Sequence, residues 1–158
     1  MTFYIKQHFF NWRDRYPIYD AEGNECFYVE GEIFTFGKKL HLYDRNHREI
    51  AFIRQRAAAF LPKFEIMKNG LQIAEVVKEF TFLRKEYSIN GLGWKVHGDY
   101  FSHNYEIAAG SRCIARVEKK VFTIGDAYEI NAVDDVDEVT ILAVVLVIDA
   151  CIDAAEQN

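Results

Sequence analysis

Proline, cysteine and long hydrophobic runs are all scarce in this chain. Only two of its 158 residues are proline and three are cysteine. With half the residues hydrophobic, this composition excludes a disordered or proline-rich linker. Cys26, Cys113 and Cys151 are odd in number, far apart and without a Cys-x-x-Cys pair. They exclude a disulfide framework and read as buried, reduced thiols. The start, Met1-Thr2-Phe3-Tyr4-Ile5-Lys6, has neither the basic segment nor the apolar core of a secretory leader. No stretch reaches the roughly 20 apolar residues of a bilayer span. The expected location is the cytoplasm or the periphery of a membrane, with no transmembrane span.

Catalytic signatures are missing too. None of Ser88, Ser102 and Ser111 sits in G-x-S-x-G, and there is neither G-x-x-x-x-G-K-[ST] nor G-x-G-x-x-G. His97, Asp99 and His103 are metal-ligand types, but His8, His41 and His47 lie elsewhere, and a metal needs three or four convergent ligands. Asp134, Asp135, Asp137 and Glu138 lack the D-x-D-x-D-G pattern of a calcium loop. The expectation is no enzyme, no metal and no cofactor.

Charge is unevenly spread. The net charge is −5, yet residues 134–158 hold seven acidic and no basic groups, so the remainder is slightly basic. The acidity belongs to the tail, and no nucleic-acid partner is expected.

What is present is a repeat. An apolar anchor recurs at Trp12, Phe36, Phe60, Phe82, Phe101 and Ile124. Four or five residues later come Tyr16, Leu40, Phe64, Tyr87, Tyr105 and Tyr128, and two residues beyond these Ile18, Leu42, Ile66, Ile89, Ile107 and Ile130. Two apolar residues around a mostly polar one form the period-2 pattern of a half-buried strand, with Glu65, Glu106 and Glu129 pointing outward. A second element follows in several copies, as in Ile50-Ala51-Phe52-Ile53, Ile73-Ala74-Glu75-Val76 and Ile114-Ala115-Arg116-Val117. Turn residues lie between, notably Asn69-Gly70, a strong two-residue hairpin signal. Asn90-Gly91 predicts a similar turn. Six copies of about two strands predict about twelve strands, and closing them into an antiparallel barrel removes the edges.

The run from Val139 to Ile148 is apolar on every face. A helix of that kind must be enclosed. Its diameter of roughly 10–12 Å suits the inside of a large barrel. Asp134 or Asp135 is the expected N-cap, with Asp135-x-x-Glu138 as a capping box. The predicted layout is a single domain over 1–158: barrel strands over 1–133, then a capped helix filling the barrel and a short tail over 134–158.

Particular segments carry a resemblance. They are Ile5-Lys6-Gln7 with Asp14-Arg15-Tyr16, Val29-Glu30-Gly31 before Phe34-Thr35-Phe36-Gly37, Ile53-Arg54-Gln55-Arg56, Leu61-Pro62-Lys63-Phe64-Glu65-Ile66, Gly98-Asp99-Tyr100, and the acidic stretch before the apolar helix. In these the chain resembles the LURP-one-related family of the tubby C-terminal-like superfamily. The resemblance implies a mainly-β fold, a closed antiparallel barrel of about twelve strands around a buried hydrophobic C-terminal helix. Relatives in fold include tubby proteins, which bind phosphoinositides, and phospholipid scramblases. Neither supplies a ligand motif that maps onto these residues.

The best candidate site is basic. Lys6, Arg54, Arg56, Lys78, Lys119 and Lys120 each follow the apolar stretch of a strand. Gathered at one rim, they would receive phosphate or an anionic head group. Charged strand ends also simply discourage edge pairing, which is the competing explanation. The expected function is a non-enzymatic binding or scaffold domain for anionic lipid or a phosphorylated ligand, with anionic phospholipid head groups or a protein as partner. The alternative is a scramblase-like lipid-handling protein, or an enzyme with an unfamiliar site.

Overall fold

The computed structural model describes residues 1–6, 15–32, 37–56, 63–81, 84–122 and 125–156, with only the backbone of 78–81, 84, 85, 125 and 154–156. Among these residues there are twelve strands and one helix. The strands are β1 Thr2–Lys6, β2 Tyr16–Asp20, β3 Glu25–Gly31, β4 Lys39–Asp44, β5 Glu49–Arg56, β6 Lys63–Lys68, β7 Leu71–Thr81, β8 Arg84–Asn90, β9 Trp94–Asp99, β10 Asn104–Ala109, β11 Arg112–Phe122 and β12 Gly125–Ala132. The helix α1 spans Glu138–Glu156. Each strand pairs antiparallel with the next, and β1 pairs with β12, so the barrel is closed. Closure removes both free edges, as the repeat predicts.

The repeat becomes two rings of side chains inside the wall. Tyr16, Leu40, Phe64, Tyr87, Tyr105 and Tyr128 are buried on the even strands. One pleat deeper, Ile18, Leu42, Ile66, Ile89, Ile107 and Ile130 are fully buried. Register shifts follow the second position in β2, β4, β6 and β10. Such bulges bend a strand and raise its twist, which helps a sheet close. The odd strands turn small residues inward, Ala51, Ala74 and Ala115, leaving room for a helix. The anchor positions fare differently. Phe101 is exposed in the β9–β10 turn. Trp12, Phe36, Phe60, Phe82 and Ile124 lie outside the described residues.

The even-to-odd turns share one end of the barrel, here the near rim, with the segment leading into α1. The odd-to-even connections share the other, the far rim. Asn69 and Gly70 both adopt positive φ, 51° and 75°, as their hairpin requires. The turn after β8 is not Asn90-Gly91. Asn90 still belongs to the strand, and the reversal runs through Gly91, Leu92 and Gly93, with φ of 99° and 67° at the glycines. A Cβ on Gly91 would lie 2.5 Å from the Ile73 carbonyl oxygen, so backbone crowding selects glycine there.

The helix passes down the barrel from the near rim. Ile141 to Ile148 are buried without interruption, as the uniformly apolar run demands. Its cap differs from the expectation. Asp137 is the N-cap: its Oδ2 accepts from the Thr140 N–H at 2.7 Å and from the Thr140 hydroxyl at 2.6 Å. Asp134 and Asp135 instead tie the near rim together, to the Met1 amino group at 2.5 Å and to both terminal nitrogens of Arg112. The helix starts at Glu138, so only Asp137 stands where its oxygen reaches the third residue onward.

The cysteines correct a second expectation. Cys113 is exposed, while Cys26 and Cys151 are only partly buried. Burial pushes the Cys26 thiol up to about 11. Cys113 sits one residue before the buried Ile114-Ala115 pair, and its side chain takes the solvent side.

Candidate functional site

All six basic positions lie on odd strands, which run toward the far rim. They do not form one patch. β1 and β5 are four inter-strand spacings apart around the wall, about 19 Å at 4.8 Å per spacing.

The first patch lies around β12. Lys6 and Lys120 are both cross-strand neighbours of Ala127 and face outward. Lys6 lies over the Tyr19 ring, 5.3 Å from its centroid. Lys120 donates to Glu118 at 2.7 Å and reaches Glu129 at 3.5 Å. Lys119 alternates to the opposite face and pairs with Asp126 at 3.0 Å. The two lysines therefore do not act together, because successive strand residues point to opposite sides. They also stand on a ribbon. The β11–β12 ladder continues to Phe122 and Gly125, while described pairing to β10 stops at Val117 and to β1 at Ala127. Val121 at its end is 81% exposed.

The second patch is more ordered. Arg54 and Arg56 are two residues apart on β5 and share one carboxylate on β6. Arg54 Nε meets Glu65 Oε2 at 2.6 Å, and Arg56 Nη1 meets Glu65 Oε1 at 3.3 Å. Glu65 faces away from the core as expected, yet it is only 2% exposed. An ionised carboxylate so covered needs charged donors on its oxygens, and here each oxygen has one. Lys63 stands directly across from Arg56 and pairs with Glu75 at 3.2 Å. Two guanidiniums against one acid leave this patch with surplus positive charge, and both arginines remain about half exposed. Lys78 lies in β7 opposite Tyr87, and its side chain is outside the described residues.

The histidines named as metal-ligand types do not converge. His97 faces outward, 3.8 Å from Glu106, whereas His103 turns into the mouth of the barrel and meets Asp149 of α1 at 3.3 Å. Among the described residues no group of three potential ligands could hold a metal.

Sequence reading missed three features at the far rim: Lys63, the His103–Asp149 contact, and Lys38, which pairs with Asp153 near the end of α1. Burial pulls the Lys38 ammonium down to about 8. Asp149 and Asp153 read as residues where a helix emerges into water. In the barrel Asp149 is buried, and burial raises its carboxyl above the ordinary range, with His103 opposing.

A closed antiparallel barrel threaded by an apolar helix is a tubby-like fold. The crystal structure of an Arabidopsis thaliana protein shares this fold, with a TM-score of 0.68 and 16% identity over 94% of this chain and 88% of that one. The chain belongs to the LURP-one-related family, whose profile matches residues 1–149. The uncharacterized protein YxjI of Bacillus subtilis (strain 168) is 31% identical over 146 residues, 92% of this chain and 90% of that protein. No helix of the described residues is long and apolar enough to cross a membrane.

Proposed function

We propose that the protein is a non-enzymatic binding or scaffold domain that receives an anionic group, a phospholipid head group or a phosphorylated small molecule, on the wall beside the far rim. One observation supports this most. Arg54 and Arg56 are both oriented by Glu65, with Lys63 across the strand, so donors are held in place while positive charge remains. Guanidinium groups suit phosphate because their planar forks match its oxygens. Lys6, Lys119 and Lys120 contribute less on this reading, because acids neutralise the two ribbon lysines. The helix fills the barrel, so binding belongs to the outside. The protein then works in the cytoplasm or at the periphery of a membrane.

The test is co-sedimentation with vesicles of phosphatidylcholine, with and without an anionic phospholipid, alongside calorimetric titration with inorganic phosphate. Arg54→Glu/Arg56→Glu is expected to weaken binding at least tenfold, and Lys119→Glu/Lys120→Glu far less. Binding that survives the arginine reversal, or no binding to either probe, sinks the reading. Binding to phosphate but not to vesicles selects the small-molecule form.

A further inference from the structure

The turn Tyr100–His103 joins β9 to β10 at the far rim. Its geometry is constrained. Ser102 donates its N–H to Asp99 Oδ1 at 3.2 Å, and His103 donates its N–H to the Tyr100 carbonyl at 3.1 Å. His103 takes φ of 53°, a left-handed conformation that non-glycine residues seldom adopt. This backbone turns the imidazole inward, where it stacks on Tyr128 with centroids 4.1 Å apart and an 18° tilt. The ring is therefore fixed, and its Nε2 lies 3.3 Å from Asp149 Oδ1.

Asp149 is a carboxyl in the most apolar part of the molecule. Isoleucine 148 precedes it and Ala150 follows, both fully buried. Apart from the His103 contact, neither of its oxygens has a hydrogen-bond partner. No other cationic side chain among the described residues lies within ion-pair distance of it. The other titratable groups facing it are Tyr16 of β2 and Tyr105 of β10. One helical turn on, Asp153 is held by Lys38, with Cys151 between. His103 itself faces Asp149, Tyr128 and Asp99.

We infer that His103 and Asp149 form a proton-dependent latch that holds the C-terminal half of α1 beneath the far rim. Two charges of opposite sign, or two neutral groups, are tolerated in a low-dielectric site, whereas a lone charge is costly. The pair is neutral overall when it holds one proton, whichever partner carries it. Losing that proton leaves a buried carboxylate among tyrosines. The latch is closed while the pair keeps its proton and loosens as pH rises. A conformational device of this kind stands independently of the anion site on β5 and β6.

The test is amide hydrogen exchange of residues 148–153, followed by NMR between pH 5 and pH 9 and corrected for intrinsic rates. In the wild type, exchange is expected to accelerate by up to tenfold per pH unit between the midpoints of the open and the closed pair, and to level off above the closed one. Asp149→Asn is isosteric and uncharged, and it should stay protected throughout. His103→Asn keeps a residue that accepts the left-handed backbone, and it should open the segment at a lower pH than in the wild type. His103→Asn/Asp149→Asn should restore protection. Should His103→Asn fail to fold, the thermal midpoint of Asp149→Asn relative to wild type decides: it should rise with pH. A flat wild-type profile, an Asp149→Asn profile like the wild type, or a difference of opposite sign would overturn the latch.

Discussion

Two acids covered from water say most at the scale of single residues. Glu65 is covered on the outer wall and satisfied by two arginines, while Asp149 is covered inside and meets one histidine. Their consequences for pH differ from those of the surface carboxylates. Burial raises the Asp149 carboxyl, so its contribution to stability is fully present below the ordinary aspartate range and is lost as pH rises through its folded value. Asp20, Asp44 and Asp135 go the other way. Hydrogen bonds from Asn24, from Arg48 and from Arg112 respectively hold them low, so their contribution is lost as pH falls. Equilibrium unfolding in urea at a series of pH values should therefore show Asp149→Asn gaining on the wild type as pH climbs above about 4, with both proteins losing stability together under acid. Equal curves at every pH would mean that Asp149 is not shielded from water.

The elements owe their form to patterns the chain states openly. Alternating apolar residues make strands, Asn69-Gly70 makes a hairpin, and a run without a polar face makes a core helix. The cap falls on Asp137 rather than on Asp134 or Asp135 because three acids precede the helix, and the Asp135-x-x-Glu138 spacing does not show where the first turn begins. Only the position of the first turn selects Asp137. Asp137→Ala should cost about 1 kcal/mol, near the middle of the range for a lost N-cap, with the Lys68 contact at 2.7 Å lost as well. Val145→Asp should cost far more, above about 3 kcal/mol, because an unpaired charge would sit in the fully enclosed centre of α1. Chemical denaturation of the two variants ranks them, and a small loss for Val145→Asp would show the helix to be solvated.

At the scale of the whole molecule, wall and helix depend on each other. The strands enclose a space that their own side chains leave open, and the helix is too apolar to stand alone. A chain ending before Glu138 should therefore lose its cooperative thermal transition and bind ANS, while keeping part of its far-ultraviolet β signal. A sharp unfolding transition in that truncated protein would show that the barrel does not need its plug.

The residues alone settled the strand count, the closed barrel and the enclosed helix, because periodicity, turn chemistry and all-round apolarity are local properties, each legible over a few residues. Tertiary structure decided which charges meet. Lys119 and Lys120 are adjacent in the chain yet point to opposite faces, while Arg54 and Arg56 are joined through Glu65 of the next strand. His103 finds Asp149 only because a turn on the wall folds over the end of the helix inside it. Contacts of that kind arise from closure, which brings together residues remote in sequence, and no pattern along the chain encodes the distance between them.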